Sequence, residues 1–241
     1  MKLINIQKLT GTLELVSGLH IGSGNTEMHI GGTDNPVIKH PLTQQPYIPG
    51  SSIKGKIRSL LEWEIGVVGA THGQPLGFKH LSHLDADQQP AARNLLRLFG
   101  GAPEGANQNA AVVAEIGPTR LAFWDCSLEP GWVDEMNDRN LLLTENKSEN
   151  MIDRIQGVAQ HPRNTERVPA GARFAFNLTL RVHDDDADLL PLVWRGLKLL
   201  ELTGLGGSGS RGYGKIQFTR LELEGQDVLG HVQGVRFESA A

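Results

Sequence analysis

From Leu3 to Val16 apolar and polar residues alternate, with Leu9, Gly11, Leu13 and Leu15 on one face and Lys8, Thr10, Thr12 and Glu14 on the other. A period of two predicts a half-buried strand. Beyond a glycine-rich polar stretch running to about residue 48, Ile53, Ile57, Leu60 and Leu61 recur at helical spacing behind two N-cap candidates, Ser51 and Ser52. A helix is therefore expected to start near Ser52. Residues 66–118 keep no single period and carry Gly and Pro clusters around a short helical pattern, AARNLLRLFG, which marks them as an insertion. The segment 119–128, TRLAFWDCSL, has the aromatic and apolar content of a strand, whereas 138–171 is polar and punctuated by Pro162 and Pro169, as a projecting arm would be.

The clearest strand is ARFAFNLTLRV, where Phe174, Phe176, Leu178, Leu180 and Val182 alternate with Arg173, Asn177, Thr179 and Arg181. An acidic turn, HDDDAD, then supplies N-cap candidates for an apolar helix with Pro191 in its first turn and Gly204 as its stop. The run KIQFTRLELEG closes the pattern as a last strand. Strand, helix, strand, arm, strand, helix, strand is the order of an α+β, ferredoxin-like (RRM-like) βαββαβ unit with two insertions. No short internal repeat is present, which excludes a solenoid.

Composition narrows the setting. One cysteine, Cys126, leaves no internal disulfide framework and no multi-cysteine zinc knuckle. No signal-peptide core and no run of roughly 20 apolar residues is present, so a cytoplasmic protein without a membrane partner is expected. The formal charge of −4 excludes a uniformly basic nucleic-acid binder, and any RNA contact must rest on locally gathered cations.

Two places gather them. GLGGSGSRGYGKIQF, residues 204–218, sets Gly207, Gly209, Arg211, Tyr213 and Lys215 between a helix and a strand, where backbone amides and a guanidinium can approach a phosphate. A tight connector would look the same, and the helix-to-strand order is the reverse of a dinucleotide loop. The start of the first helix places Ser52, Lys54, Lys56 and Arg58 together with no acid before Glu62, an unfavourable place for cations unless an anion binds there. His80 and His83 have metal spacing but lack cysteine partners, and His20, His29 and His40 are loop histidines with no catalytic assignment. Trp63, Trp124 and Trp194 sit in apolar patterns that suit a core, and Trp132 or Tyr213, if exposed, would suit base stacking. The acids Asp184, Asp185, Asp186 and Asp188 read as a solvated helix-start cap.

The span from His20 to Arg58 resembles the RAMP superfamily of CRISPR RNA-binding proteins, most closely the backbone subunits of type III-A complexes. The resemblance rests on the H-I-G-S-G loop at His20 to Gly24, the acidic loop at Thr33 to Asn35, the IPGSSIKGKIR helix start, the ERVPAG segment at Glu166 to Gly171 and the late glycine loop. It implies a single domain over 1–241, with a ferredoxin-like palm, a lid-like insertion at 66–118 and a thumb hairpin at 138–171. It further implies an antiviral ribonucleoprotein in which copies of the chain polymerise with other subunits along a guide CRISPR RNA. Thumbs would displace nucleotides at regular intervals while the palm cuts single-stranded target RNA. The family motif puts the cutting carboxylate on Asp34, which would also hold Mg²⁺ or another divalent cation. Guide contacts fall on His20, Ser52, Lys54, Arg58, Gly207, Gly209 and Arg211. Read without the resemblance, Asp34 in G-G-T-D-N-P is a turn residue. A guide-processing endonuclease, a passive RNA-binding filament subunit and a nucleotide-dependent enzyme remain open readings at this point.

Overall fold

The N-terminal alternation becomes β1 (Leu3–Leu15) in the computed structural model, which describes residues 1–24, 35–102 and 110–237. Along the chain follow β2 (Tyr47–Ile48) and α1 (Gly50–Glu64), then a 3₁₀ turn at Phe78–His83, α2 (Gln89–Phe99) and α3 (Ala110–Ile116). Next come β3 (Leu121–Phe123), β4 (Cys126–Ser127), α4 (Pro130–Asp138), β5 (Glu145–Ile152), β6 (Ala159–Arg167) and β7 (Arg173–His183). The described chain closes with α5 (Leu190–Thr203), a 3₁₀ turn at Gly209–Arg211, β8 (Ile216–Leu223), β9 (Gln226–Asp227) and α6 (Leu229–Gly234).

Five strands form one antiparallel sheet in the order β3-β7-β1-β8-β9. Its register sets Leu13 opposite both Phe174 and Phe218, and Leu9 opposite both Leu178 and Leu223. One face of the sheet is thereby made apolar. Onto it pack Ile53, Ile57 and Leu61 of α1 and Val193, Leu197 and Leu200 of α5, all in one buried cluster. Each such side chain contributes about 1.5–3 kcal/mol when withdrawn from water. Among the described residues no helix is long and apolar enough to cross a membrane.

The described residues of the 66–118 region fold onto this core instead of standing apart. Its α2 buries Leu95, Leu96, Leu98 and Phe99, and the Phe99 ring stacks on Phe123 of β3 at 6.1 Å between centroids. Arg58 and Glu62 of α1 hold its start: Arg58 Nε donates to Glu62 Oε1 at 2.8 Å, and that oxygen accepts the Leu76 amide at 3.0 Å. The Arg58 guanidinium also donates to the Leu76 carbonyl. His80 serves as a cap, its Nδ1 accepting the Gly77 amide at 2.8 Å.

Four expectations need correction. The strand at 119–128 is two strands: β3 stays in the large sheet, while β4 leaves it to pair with β2. The break falls at Asp125, whose carboxylate accepts the Gly50 amide at 2.8 Å, so the chain turns there to close the start of α1. That helix begins at Gly50 with Pro49 at its N-cap, and neither Ser51 nor Ser52 caps it through a side chain. The tryptophans divide differently from their patterns, with Trp63 67% and Trp124 53% exposed, while Trp132, Trp194 and Tyr213 are buried. Trp63 lies two residues past Leu61, off the buried stripe, and Trp124 lies just beyond the end of β3, where the chain leaves the large sheet. Of the acidic run, Asp186 is not solvated: it meets the fully buried Arg120 at 2.7 Å, while Asp188 accepts the Leu190 amide at the start of α5.

Strands β5 and β6 pair as a hairpin separate from the large sheet. Its tip is turned by Asp153, which accepts the amides of Ile155 and Gln156 at 2.8 Å each. Met151, Ile152, Ile155 and Val158 are exposed there, Ile155 at 96%.

Candidate nucleic-acid interface

Leu19 pairs with Val168, and this bridge carries His20 onto the root of the hairpin. His20 Nδ1 donates to the Glu166 carbonyl oxygen at 2.7 Å. A carbonyl can only accept, so the bond fixes the proton on Nδ1 and leaves Nε2 of the neutral ring as an acceptor. That edge of the ring faces the Gly22 and Gly207 backbone, and the His20 carbonyl accepts the Gly207 amide at 3.0 Å.

Glu166 is buried and gathers the loop that enters this place. Lys39 Nζ donates to it at 2.6 Å, Thr144 Oγ1 at 2.7 Å and the Val37 amide at 3.0 Å. Burial opposes its ionisation, but these donors outweigh burial and hold the carboxyl below the usual glutamate range. The Glu166 amide donates to the Asn35 carbonyl at 3.1 Å. Asp34, the expected cutting and metal-holding carboxylate, lies outside the described residues, as does His29. Its neighbour Asn35 bridges to Thr165, so the backbone emerges from that loop beside the hairpin root.

The glycine loop is shaped by backbone contacts too close for side chains. At Gly206 (φ +77) a Cβ would overlap the His20 carbonyl, and at Gly214 (φ +71) it would overlap the Leu205 carbonyl. Only glycine combines that left-handed backbone with the missing Cβ. Gly209 and Arg211 form the 3₁₀ turn at the loop's crest. Arg211 donates to Ser208 Oγ and pairs with Glu149 of β5 at 3.1 Å. Beneath it, Tyr213 is clamped between Lys147 at 4.5 Å and Arg167 at 5.1 Å from its ring centre. Burial and then the Glu149 carboxylate push the Tyr213 phenol up. A cavity of about 540 Å³ lies alongside, lined by Glu149, Asn150, Met151, His161, Arg163 and Arg211.

Ser52 and Lys54 stand on a different support, the first turns of α1. The Ser52 amide is not free for a ligand, since it donates to the Pro49 carbonyl at 2.9 Å, and Asp125 takes the Gly50 amide. Burial, and next the charge of Arg58, lowers the Lys54 pKa from its ordinary value. Arg58 is turned inward onto Glu62 and Leu76. Among the described residues no hydrogen bond or ion pair joins the α1 group to the His20 and glycine-loop group.

The structure thus brings His20, Gly207, Gly209 and Arg211 to the root of the hairpin. It adds Glu166, Lys39 and Glu149, none of which was expected to act there, while Tyr213, a stacking candidate only if exposed, is buried. Glu166 stands in the ERVPAG segment and had that much signal. Glu149 had none, because only the pairing of β5 with β6 and the fold of the glycine loop set it against Arg211. Among the described residues no group of three or more His, Cys, Asp or Glu side chains is placed to hold a metal ion.

Comparison with known proteins shows the family. A family model described as the RAMP superfamily matches residues 12–217. The chain is 38% identical over 233 residues to the CRISPR system Cms endoribonuclease Csm3 of Methanothermobacter thermautotrophicus, covering 91% of this chain and 86% of that one. It is 35% identical over 213 residues to the protein of the same name from Enterococcus italicus, with 88% of each chain covered. A solved Csm3–Csm4 subcomplex of the type III-A CRISPR-Cas interference complex contains a chain of the same fold, with a TM-score of 0.55, 24% identity and coverage of 99% of this chain and 100% of that one.

Proposed function

Because the chain belongs to the RAMP superfamily, we propose that it is the repeating backbone subunit of a type III-A CRISPR ribonucleoprotein. In this role it binds guide CRISPR RNA along its length and cleaves complementary single-stranded target RNA at regular intervals in antiviral defence. Its partners are the two RNAs, further copies of itself and the other subunits, and it works in the cytoplasm. The observation that carries the reading is likeness over nearly the whole chain to proteins named as CRISPR endoribonucleases.

The palm is read as ferredoxin-like, supported by its central strand order and by α1 and α5 following β1 and β7. Residues 66–118 are the lid and 138–171 the thumb. The glycine loop and His20 suit contacts to RNA phosphate and sugar, which carry no sequence information and so serve guides of any sequence. His20 Nε2, kept as an acceptor by the Glu166 carbonyl, suits a ribose hydroxyl.

RNA carries its own nucleophile. Cleavage needs the 2′-hydroxyl aligned with the neighbouring phosphate, giving a cyclic phosphate and a free 5′-hydroxyl. Asp34 is the carboxylate proposed to hold Mg²⁺, which when bound supplies charge neutralisation at the phosphate. A magnesium ion keeps most of its waters and binds through one or two carboxylates and the substrate phosphate. Within the chain, Glu166 ties Asn35, Val37 and Lys39 to the hairpin root.

The test is target cleavage by guide-loaded complexes of wild type and Asp34→Ala, in Mg²⁺ and in chelator. Evenly spaced products should disappear with either change while guide binding persists. Unchanged cutting by Asp34→Ala would leave the subunit a passive scaffold or a nuclease acting through other residues.

A further inference from the structure

The cavity between the hairpin and the glycine loop holds an arrangement that RNA binding in general does not require. Glu149 faces Arg163 across the β5–β6 pair, yet its carboxylate is directed elsewhere. One oxygen meets Arg211 of the glycine loop at 3.1 Å and the other meets Lys147 at 3.5 Å. Arg163 lines the same cavity and carries no ion pair among the described residues. Two guanidinium groups and the His161 imidazole therefore border about 540 Å³ of open space, with one acid taking up the charge of Arg211. Such a volume is far larger than a phosphate needs and has room for a nucleotide, with Met151 and Asn150 as an apolar and an amide wall.

We propose that this cavity seats a phosphodiester unit of bound RNA on Arg211 and Arg163, and that Glu149 is a built-in stand-in for that phosphate, holding Arg211 until RNA displaces it. The inference rests on the RNA-binding reading above. Arg211 meets a single carboxylate oxygen of Glu149, and a phosphate oxygen is an anionic acceptor of the same kind, so one exchanges for the other at that guanidinium nitrogen. The Arg211 side chain is more than half exposed, and an ion pair so open to water is weak enough to be exchanged. Exchange also frees the carboxylate from the glycine loop, so RNA occupancy loosens one of the ties between loop and hairpin.

The experiment is binding of a fluorescently labelled single-stranded RNA to the full chain, measured against salt, for wild type, Glu149→Gln, Arg211→Gln and the double variant. Removing the internal competitor should tighten binding by about threefold to tenfold, the worth of a weak ion pair. It should also steepen the salt dependence, because Arg211 then sheds a solution anion instead of Glu149 when RNA binds. Arg211→Gln should weaken binding, and most of the gain from Glu149→Gln should vanish in its presence. If Glu149→Gln disturbs the fold, seen as a lowered unfolding temperature, Glu149→Asp carries the test: it keeps the charge, falls short of Arg211 and should still tighten binding. Unchanged or weaker binding by a folded Glu149 variant, with Arg211→Gln weakened, overturns the stand-in and leaves the RNA reading intact. If neither residue alters RNA binding, Arg211 is no RNA ligand and both ideas fail at this loop.

Discussion

At the scale of single residues the decisive group is Glu166, because one carboxylate holds three donors from two stretches of chain and its own carbonyl holds His20. Its carboxyl ionises below the ordinary glutamate value, so the linked stability is fully present above the unfolded-state value and is lost as pH falls through the lower folded one. Glu166→Gln should cost about 1–3 kcal/mol at neutral pH, the usual penalty for leaving buried partners unsatisfied. Denaturant unfolding at a series of pH values should show the gap from wild type narrowing as pH drops below the ordinary glutamate range. A gap that stays constant with pH would mean that the Glu166 charge contributes nothing. Cys126 shows the opposite influence of burial, which pushes its thiol up to about 12 and removes it from any nucleophilic role.

At the scale of elements, the glycine loop is a backbone structure first and a basic one second. Gly214 donates its amide to the Gly18 carbonyl and accepts the Leu205 amide, so it ties together the ends of β1 and α5. Gly214→Ala combines a left-handed backbone with overlap on the Leu205 carbonyl, and should destabilise by about 1–3 kcal/mol or more and displace the loop. Gly212 (φ +84) has open space around it, so Gly212→Ala meets only the backbone penalty of about 1–2 kcal/mol. Thermal unfolding of the two variants should therefore rank Gly214→Ala well below Gly212→Ala, and equal losses would contradict the close approach. The hairpin differs in kind: its root is bound into the molecule through Glu166 and Val168, while its tip exposes four large apolar side chains.

At the scale of the whole molecule, a buried ion pair joins the far edge of the sheet to the start of α5. Arg120 has no exposed side-chain surface, and its guanidinium reaches Asp186 as a fork, at 2.9 and 2.7 Å. Burial opposes ionisation of Asp186, but the Arg120 bonds prevail and its pKa is lowered. Arg120→Met strands that charge, and urea unfolding should register a loss of about 3–5 kcal/mol. Adding Asp186→Leu should recover much of it, since an apolar pair carries no desolvation cost; a double variant as unstable as the single one would place the damage in packing instead.

The sequence by itself determined the core and most of the elements. Phe174, Phe176, Leu178 and Leu180 were visible as one buried face because strand and helix periodicities are local, and a few consecutive residues reveal which side meets the core. The family motifs were visible for the same reason, as runs of neighbouring residues. What only the tertiary structure decided is which distant groups meet. Asp125 looked like part of a strand and instead closes α1 from 75 residues away, and His20 finds the carbonyl that sets its tautomer 146 residues along the chain. Arg58 was grouped with cations for RNA, yet it is spent on Glu62 and Leu76, and Glu149 acquires Arg211 as a partner only where the glycine loop touches the hairpin. A charged side chain can answer any opposite charge that comes within reach, and that choice depends on chain closure, which no local pattern records.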